Sequence, residues 1–159
     1  MVGNAGEFYV LAELTRRGWT SAMTSRNNRA YDILAKKGDC SVAIRVKTKT
    51  AKSTVFRWNA KKDGMIFLDL ADRNDYCVLV DIPDGEKYPI FYIVPTTEIN
   101  SWLNADFKKW RDTPGARGQQ RNPTNKIRLF YVDDDTSRNS HGYTNKLEQY
   151  RSAWQLLES

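Results

Sequence analysis

Residues 31–50, Tyr-Asp-Ile-Leu-Ala-Lys-Lys-Gly-Asp-Cys-Ser-Val-Ala-Ile-Arg-Val-Lys-Thr-Lys-Thr, carry a periodicity of two rather than that of a helix. A short apolar run from Tyr31 to Ala35 meets a Lys-Lys-Gly-Asp turn, and the return run from Val42 to Lys47 alternates. Side chains on a strand point to opposite faces in turn, so Val42, Ile44 and Val46 share one face while Ala43, Arg45 and Lys47 share the other. The stretch predicts a β-hairpin. It carries an acid, Asp32, on one strand and two cations on one face of the next.

The flanking segments predict elements that build around this hairpin. Residues 3–18 read as a helix, with Asn4 as N-cap, Glu7 in the first turn and Gly18 as the stop behind Arg16 and Arg17. Residues 19–25 read as a short strand, and 26–29 as a polar loop. Residues 48–62 read as a third strand or a binding loop, with Phe56 and Trp58 alternating around Arg57. The continuous apolar run in 75–82 predicts a central, buried strand. After a Pro-Asp-Gly-Glu turn, 89–94 predicts an antiparallel partner. A helix opened by Pro-Thr-Thr-Glu at 95–98 and running to about 111, with Thr97 as N-cap, a long basic loop over 112–126 and a strand over 126–132 follow. Asp133-Asp134-Asp135 reads as a solvated turn, and 147–157 as a closing amphipathic helix. With 159 residues, no internal repeat and no linker, residues 1–159 are expected to form one domain.

Composition narrows the chemistry. Only Cys40 and Cys77 are present, without metal-ligand spacing, so a disulfide framework or zinc site is not expected, and reduced thiols fit a cytoplasmic protein. One histidine, His141, in a polar loop gives Ser-His or Cys-His catalysis little to work with. No apolar run reaches membrane-spanning length and no segment has a basic amphipathic pattern, so no membrane partner is expected. The net charge is +6, but residues 1–62 hold thirteen Lys and Arg against four Asp and Glu, giving +9. Concentrated cations attract a polyanion. Nucleic acid is the expected partner, with Arg26, Arg29, Arg45, Lys49, Lys52, Arg57, Trp58 and Lys61 as contacts, and Arg117 and Arg121 of the basic loop as a second contact. Aromatics between cations suit stacking on bases, although a tryptophan at alternating spacing also suits a core.

Glu7 shares its helix face with Val10, Leu11 and Leu14, whereas Glu13 falls on another face and reads as solvated. A carboxylate on an apolar stripe is costly to bury unless paired. Glu7 therefore either caps the helix start or points inward at a charged site.

The order of helix with Glu7, strand with Asp32, then Arg45-Val46-Lys47-Thr48 resembles the PD-(D/E)XK nuclease superfamily, in particular its small single-domain members, compact homing endonucleases among them. Those share a Gly-Glu helix, an Asp-[Ile/Leu/Val]-Leu strand and a [Glu/Gln]-Val-Lys-Thr strand. The likeness continues through the strands around residues 75–81 and 91–95 and covers most of the chain. It implies an α/β restriction-endonuclease-like fold, a central mixed β-sheet flanked by helices. It also implies Mg²⁺- or Mn²⁺-dependent endonuclease activity on DNA, and a homodimer or higher homo-oligomer. Glu7, Asp32, Lys47 and Arg45 become the catalytic set. Asp32 and Glu7 would ligate the metal, and Lys47 would serve the attacking water and the developing charge.

Arg45 departs from the pattern, standing where the family has Glu or Gln. A guanidinium has only donors and a fixed positive charge, so it cannot ligate a cation. Two unit charges about 4 Å apart repel by roughly 4 kcal/mol at the effective dielectric near a protein surface. Arginine is, however, a good phosphate clamp. The alternative to an active endonuclease is a catalytically silent module on the same fold, binding nucleic acid or a protein, with Arg45 paired to Asp32 in place of the metal.

Overall fold

Five strands form the central sheet in the order β1-β2-β3-β5-β6, built from Thr20–Met23, Ile33–Lys37, Cys40–Thr50, Asp75–Ile82 and Ile90–Pro95 in the computed structural model, which describes residues 2–25, 27–71, 73–85, 87–132 and 146–159. All neighbours are antiparallel except β3 and β5, which run parallel. A separate antiparallel ribbon pairs β4 (Val55–Asn59) with β7 (Ile127–Tyr131). Segment 48–62 thus divides: its start lengthens β3, and its middle forms a strand in the ribbon.

The hairpin forms as its pattern requires. Lys37 pairs with Cys40 across a two-residue loop whose first residue, Gly38, has φ +58°, a conformation open to glycine at little cost. Val42 and Ile44 are buried on one face, with Ile33 and Ala35 from β2. Helix α1 (Val2–Arg16) covers that face with Val10 and Leu14. Its end is a Schellman turn: Gly18, at φ +79°, donates to the Thr15 carbonyl, and the Trp19 N–H donates to Leu14 at 3.0 Å. The helix begins at Val2, so Asn4 lies inside it and is not its cap.

Strand β5 is central, and its inner residues alternate between two cores. Tyr76, Val78 and Val80 join the α1 side, while Cys77 and Leu79 join the side covered by α2 (Thr96–Asp112) and the ribbon. The α2 helix begins at Thr96 with Pro95, not Thr97, at its N-cap position and no side-chain cap, and the Thr96 hydroxyl donates to Asp75 at 2.6 Å.

Two other expectations give way. Glu13 is only 3% exposed rather than solvated: Arg16 and Arg17 pair with it and the Tyr88 hydroxyl donates to it at 2.5 Å. Three partners make its burial tolerable. The closing segment is two 3-10 stretches, Glu148–Tyr150 and Trp154–Glu158, not one helix. Arg151 bridges to Tyr92 at the sheet edge, Ser152 takes φ +50° and its N–H donates to the Phe91 carbonyl, which interrupts the helix. Arg26, the Asp133-Asp134-Asp135 turn and His141 lie outside the described residues.

Candidate active site

The sheet forks where β2 leaves β3. The two pair from Lys37–Cys40 to Ile33–Ile44, after which β3 runs on through Thr50 beside β5 alone. Asp32 sits at that fork. Its N–H donates to the Ile44 carbonyl at 2.9 Å, and its Oδ2 accepts from the Val46 N–H at 2.7 Å. The carboxylate thereby satisfies an edge donor that β2 no longer meets. Thr24 anchors the residue from the other side, its N–H donating to the Asp32 carbonyl at 2.9 Å.

Helix α1 brings the second acid. Gly6 packs so closely on β3 that a Cβ there would overlap the Thr48 side chain. Glu7 follows and is half-buried. It lines, with Asp32, a cavity of about 450 Å³ whose wall also holds Asn4, Thr24, Ser25 and Asn28. The exposed apolar side chains Phe8 and Met23 complete its rim.

Arg45 and Lys47 are not on that wall. Both project from the face of β3 turned away from α1. Arg45 is 7% exposed and grips Asp75 with two hydrogen bonds, Nε to Oδ1 at 3.1 Å and Nη2 to Oδ2 at 2.9 Å. Its remaining donors reach the carbonyls of Ala30 and Leu68, and Tyr31 and Phe67 lie against the guanidinium. Asp75 in turn accepts from Thr96 and from the Ala71 N–H. The expected Asp32–Arg45 pair is therefore replaced by Arg45–Asp75. The parallel register explains it: Ala43 lies opposite Asp75, so the next residue on that face of β3, Arg45, reaches it. A buried guanidinium already bonded through all three nitrogens is also not available as a phosphate clamp.

Lys47 stands between two such pairs, since Lys49, 8% exposed, is bound to Asp81 at 2.6 Å. Among the described residues no carboxylate pairs directly with Lys47, whose Nζ lies 5.5 Å from the Trp58 ring centroid. Burial pushes its ammonium below the usual lysine range, with Cys77 and Asp32 opposing the shift and Arg57 adding to it. Beneath it the fully buried Cys77 thiol is pushed up to about 12, so it is neutral at physiological pH.

The expected nucleic-acid contacts divide in the same way. Arg29, Lys52, Arg57, Lys61 and Arg117 are exposed. Arg45, Lys49 and Trp58 (8% exposed) are interior, Trp58 packing on Phe56 and Phe67. Arg121 is half-buried over Trp110. Asp75, the residue that disposes of the Arg45 charge, carried no local signal; only strand pairing reveals it.

The donor set suits a magnesium ion. Magnesium takes oxygen ligands and commonly one or two carboxylates with the rest water. Glu7 and Asp32 offer that number in one cavity, and the charge of Arg45 is neutralised by Asp75. Among the described residues no group of three or more His, Cys, Asp or Glu is placed to hold a metal.

The architecture is the restriction-endonuclease-like fold, a central mixed sheet flanked by helices. The bacterial homing endonuclease I-Ssp6803I shares it with a TM-score of 0.51 and 14% identity, over 98% of this chain and 88% of that one. A Holliday junction resolvase, Hjc from Archaeoglobus fulgidus, aligns with a TM-score of 0.43 and 15% identity over 77% of this chain and 85% of its own, too loosely to add to the argument. No protein-family model and no curated protein sequence matches the chain. No described helix is long and apolar enough to cross a membrane.

Proposed function

We propose that this protein is a divalent-metal-dependent endonuclease acting on DNA. The observation that carries the reading is that Glu7 of α1 and Asp32 at the fork of the sheet line one cavity. These two carboxylates would hold Mg²⁺ or Mn²⁺, which when bound supplies Lewis acidity toward phosphate oxygen and water. The Val46 N–H fixes one oxygen of Asp32, and Gly6 sets the depth at which α1 presents Glu7. Lys47, electrostatically coupled to Asp32 at the open edge of β3 and with a burial-weakened hold on its proton, would take or give a proton at Nζ. Arg29, Lys52, Arg57 and Lys61 would hold the DNA backbone.

The test is incubation with Mn²⁺ and duplex, single-stranded and branched DNA. We expect cleavage by the wild type, and loss of it with retained DNA binding in Asp32→Ala and Lys47→Ala. Intact substrates at high protein concentration would overturn the reading.

One observation favours a second function, a silent nucleic-acid-binding module: among the described residues only two carboxylates, Glu7 and Asp32, line the cavity. Calorimetry without divalent-ion uptake, together with salt-sensitive DNA binding, would select it.

A further inference from the structure

A second cavity, of about 370 Å³, opens beside β7 and the C-terminal half of α2, away from Glu7 and Asp32. Its wall includes Arg128, Arg121, Phe107, Trp110, Asn125 and Asp106. Arg128 is the unusual member. It is 5% exposed, yet among the described residues no carboxylate pairs with it. Its Nη1 donates to the carbonyls of Asn125 and Ile127 at 2.7 and 3.2 Å, while the buried Nε meets no acceptor among the described residues. The guanidinium lies 3.4 Å from the Phe107 ring centroid, and that ring stacks on Trp110. Arg121 covers Trp110 at 5.2 Å. Arg45 and Lys49, the other buried cations of this side of the molecule, each have an aspartate; Arg128 has only a ring and two carbonyls.

A buried guanidinium with an unused edge calls for an oxyanion, since its fork matches the two oxygens of a phosphate or carboxylate. Among the described lining residues two arginines stand against one carboxylate, Asp106. Position on the fold indicates which anion. Arg128 lies opposite Trp58 in the β4–β7 register, and Trp58 is the ring under Lys47. One side chain therefore separates the candidate catalytic lysine from this arginine.

We propose that the cavity is a phosphate-binding site, built by Arg128 and Arg121, for a backbone phosphate of the nucleic-acid strand engaged at the Glu7–Asp32 site. Only the source of the phosphate rests on the function proposed above; the site itself does not.

The test is thermal unfolding of the full chain in sodium phosphate and in sodium chloride at matched ionic strength. Wild type is expected to gain melting temperature in phosphate beyond that in chloride, and so is Glu7→Gln/Asp32→Asn, which disables the first site. Arg128→Met should lose the gain. Arg121→Gln, altering only the half-exposed arginine, should weaken it, and it decides the matter should Arg128→Met fail to fold. No phosphate-specific gain in wild type, or an undiminished gain in the arginine variants, would overturn the site. In single-stranded DNA binding, Arg128→Met should flatten the dependence of log affinity on log salt by about 0.7. A phosphate-specific gain with an unchanged slope keeps the site and overturns the strand as its source, leaving free phosphate.

Discussion

Gly6 of α1 and Thr48 of β3 occupy one space: the helix lies so near the strand that a methyl group at Gly6 would overlap the threonine hydroxyl. That contact fixes the position of Glu7, the next residue. It also isolates the Thr48 hydroxyl, which is buried without a hydrogen-bond partner among the described residues. Alanine in a helix interior is ordinarily worth about 1 kcal/mol over glycine. Here the overlap should outweigh it, because overpacking a close contact costs about 1–3 kcal/mol. We expect Gly6→Ala to be destabilised and to lose cleavage as Glu7 is displaced. Thr48→Ala should relieve it, with a coupling of at least about 1 kcal/mol in a urea-denaturation double-mutant cycle. Additive effects would show that the helix does not rest on this threonine.

Lys47 makes stability depend on pH in a definite direction. Burial lowers its pKa in the folded protein below the ordinary 10.5. Between those two values the unfolded chain binds more protons than the folded one, so stability rises with pH through that window. Below the folded value the full penalty of burying the ammonium is present. We expect Lys47→Met to be at least as stable as wild type at pH 7, and the wild type to gain on it as pH climbs toward 10.5, while cleavage is lost at every pH. The difference between the two proteins, measured by urea denaturation at both ends of the range, cancels the titration of shared groups. A difference that does not move with pH would sink the assignment.

The Arg45–Asp75 pair is a second internal electrostatic commitment, and breaking it from either side leaves a buried charge. Removing one partner of such a pair typically costs about 3–5 kcal/mol, whereas replacing both by apolar residues is often close to neutral. Asp75→Ala and Arg45→Met are each expected to fall in that range, and Arg45→Met/Asp75→Leu to recover most of the loss. Arg45→Glu, the acid that family resemblance leads one to expect here, would face Asp75 with a like charge and should be the least stable variant. A cost below about 1 kcal/mol for Asp75→Ala would mean the pair is not a structural element.

What the sequence made legible is what local pattern decides. The hairpin turn at Gly38, the buried strand over residues 75–82 and the Gly18 stop follow from periods and backbone preferences within a few residues, and all three formed. The pairing of Glu7 with Asp32 in one cavity was expected through resemblance, since neither residue's spacing contains the other. The partner of Arg45 was not legible, because Asp75 lies thirty positions away and reaches it only through the parallel register of β3 and β5. The same holds for Arg128, whose burial follows from a ribbon joining residues 55–59 to 127–131. The closing segment failed for a related reason. Tyr150, Trp154 and Leu157 have helical spacing, but a sheet edge offered Arg151 and Ser152 hydrogen bonds that a helix would have had to give up.

Burial also separates cations open to a polyanion from cations that only hold the fold. Arg57 points outward from β4 and is exposed, whereas Lys49, eight residues earlier, is sealed against Asp81. Each exposed cation that neutralises a duplex phosphate contributes about 0.9 to the slope of log affinity against log salt. Arg57→Ala is therefore expected to flatten that slope by about this amount and to leave the urea midpoint nearly unchanged. Lys49→Ala should do the reverse, lowering stability through the stranded Asp81 carboxylate while the slope of the folded protein stays as in wild type. Fluorescence-anisotropy titrations with a short duplex, run from low to moderate salt on both variants, check the two halves together. A slope change in Lys49→Ala with none in Arg57→Ala would place the DNA on the other side of the ribbon.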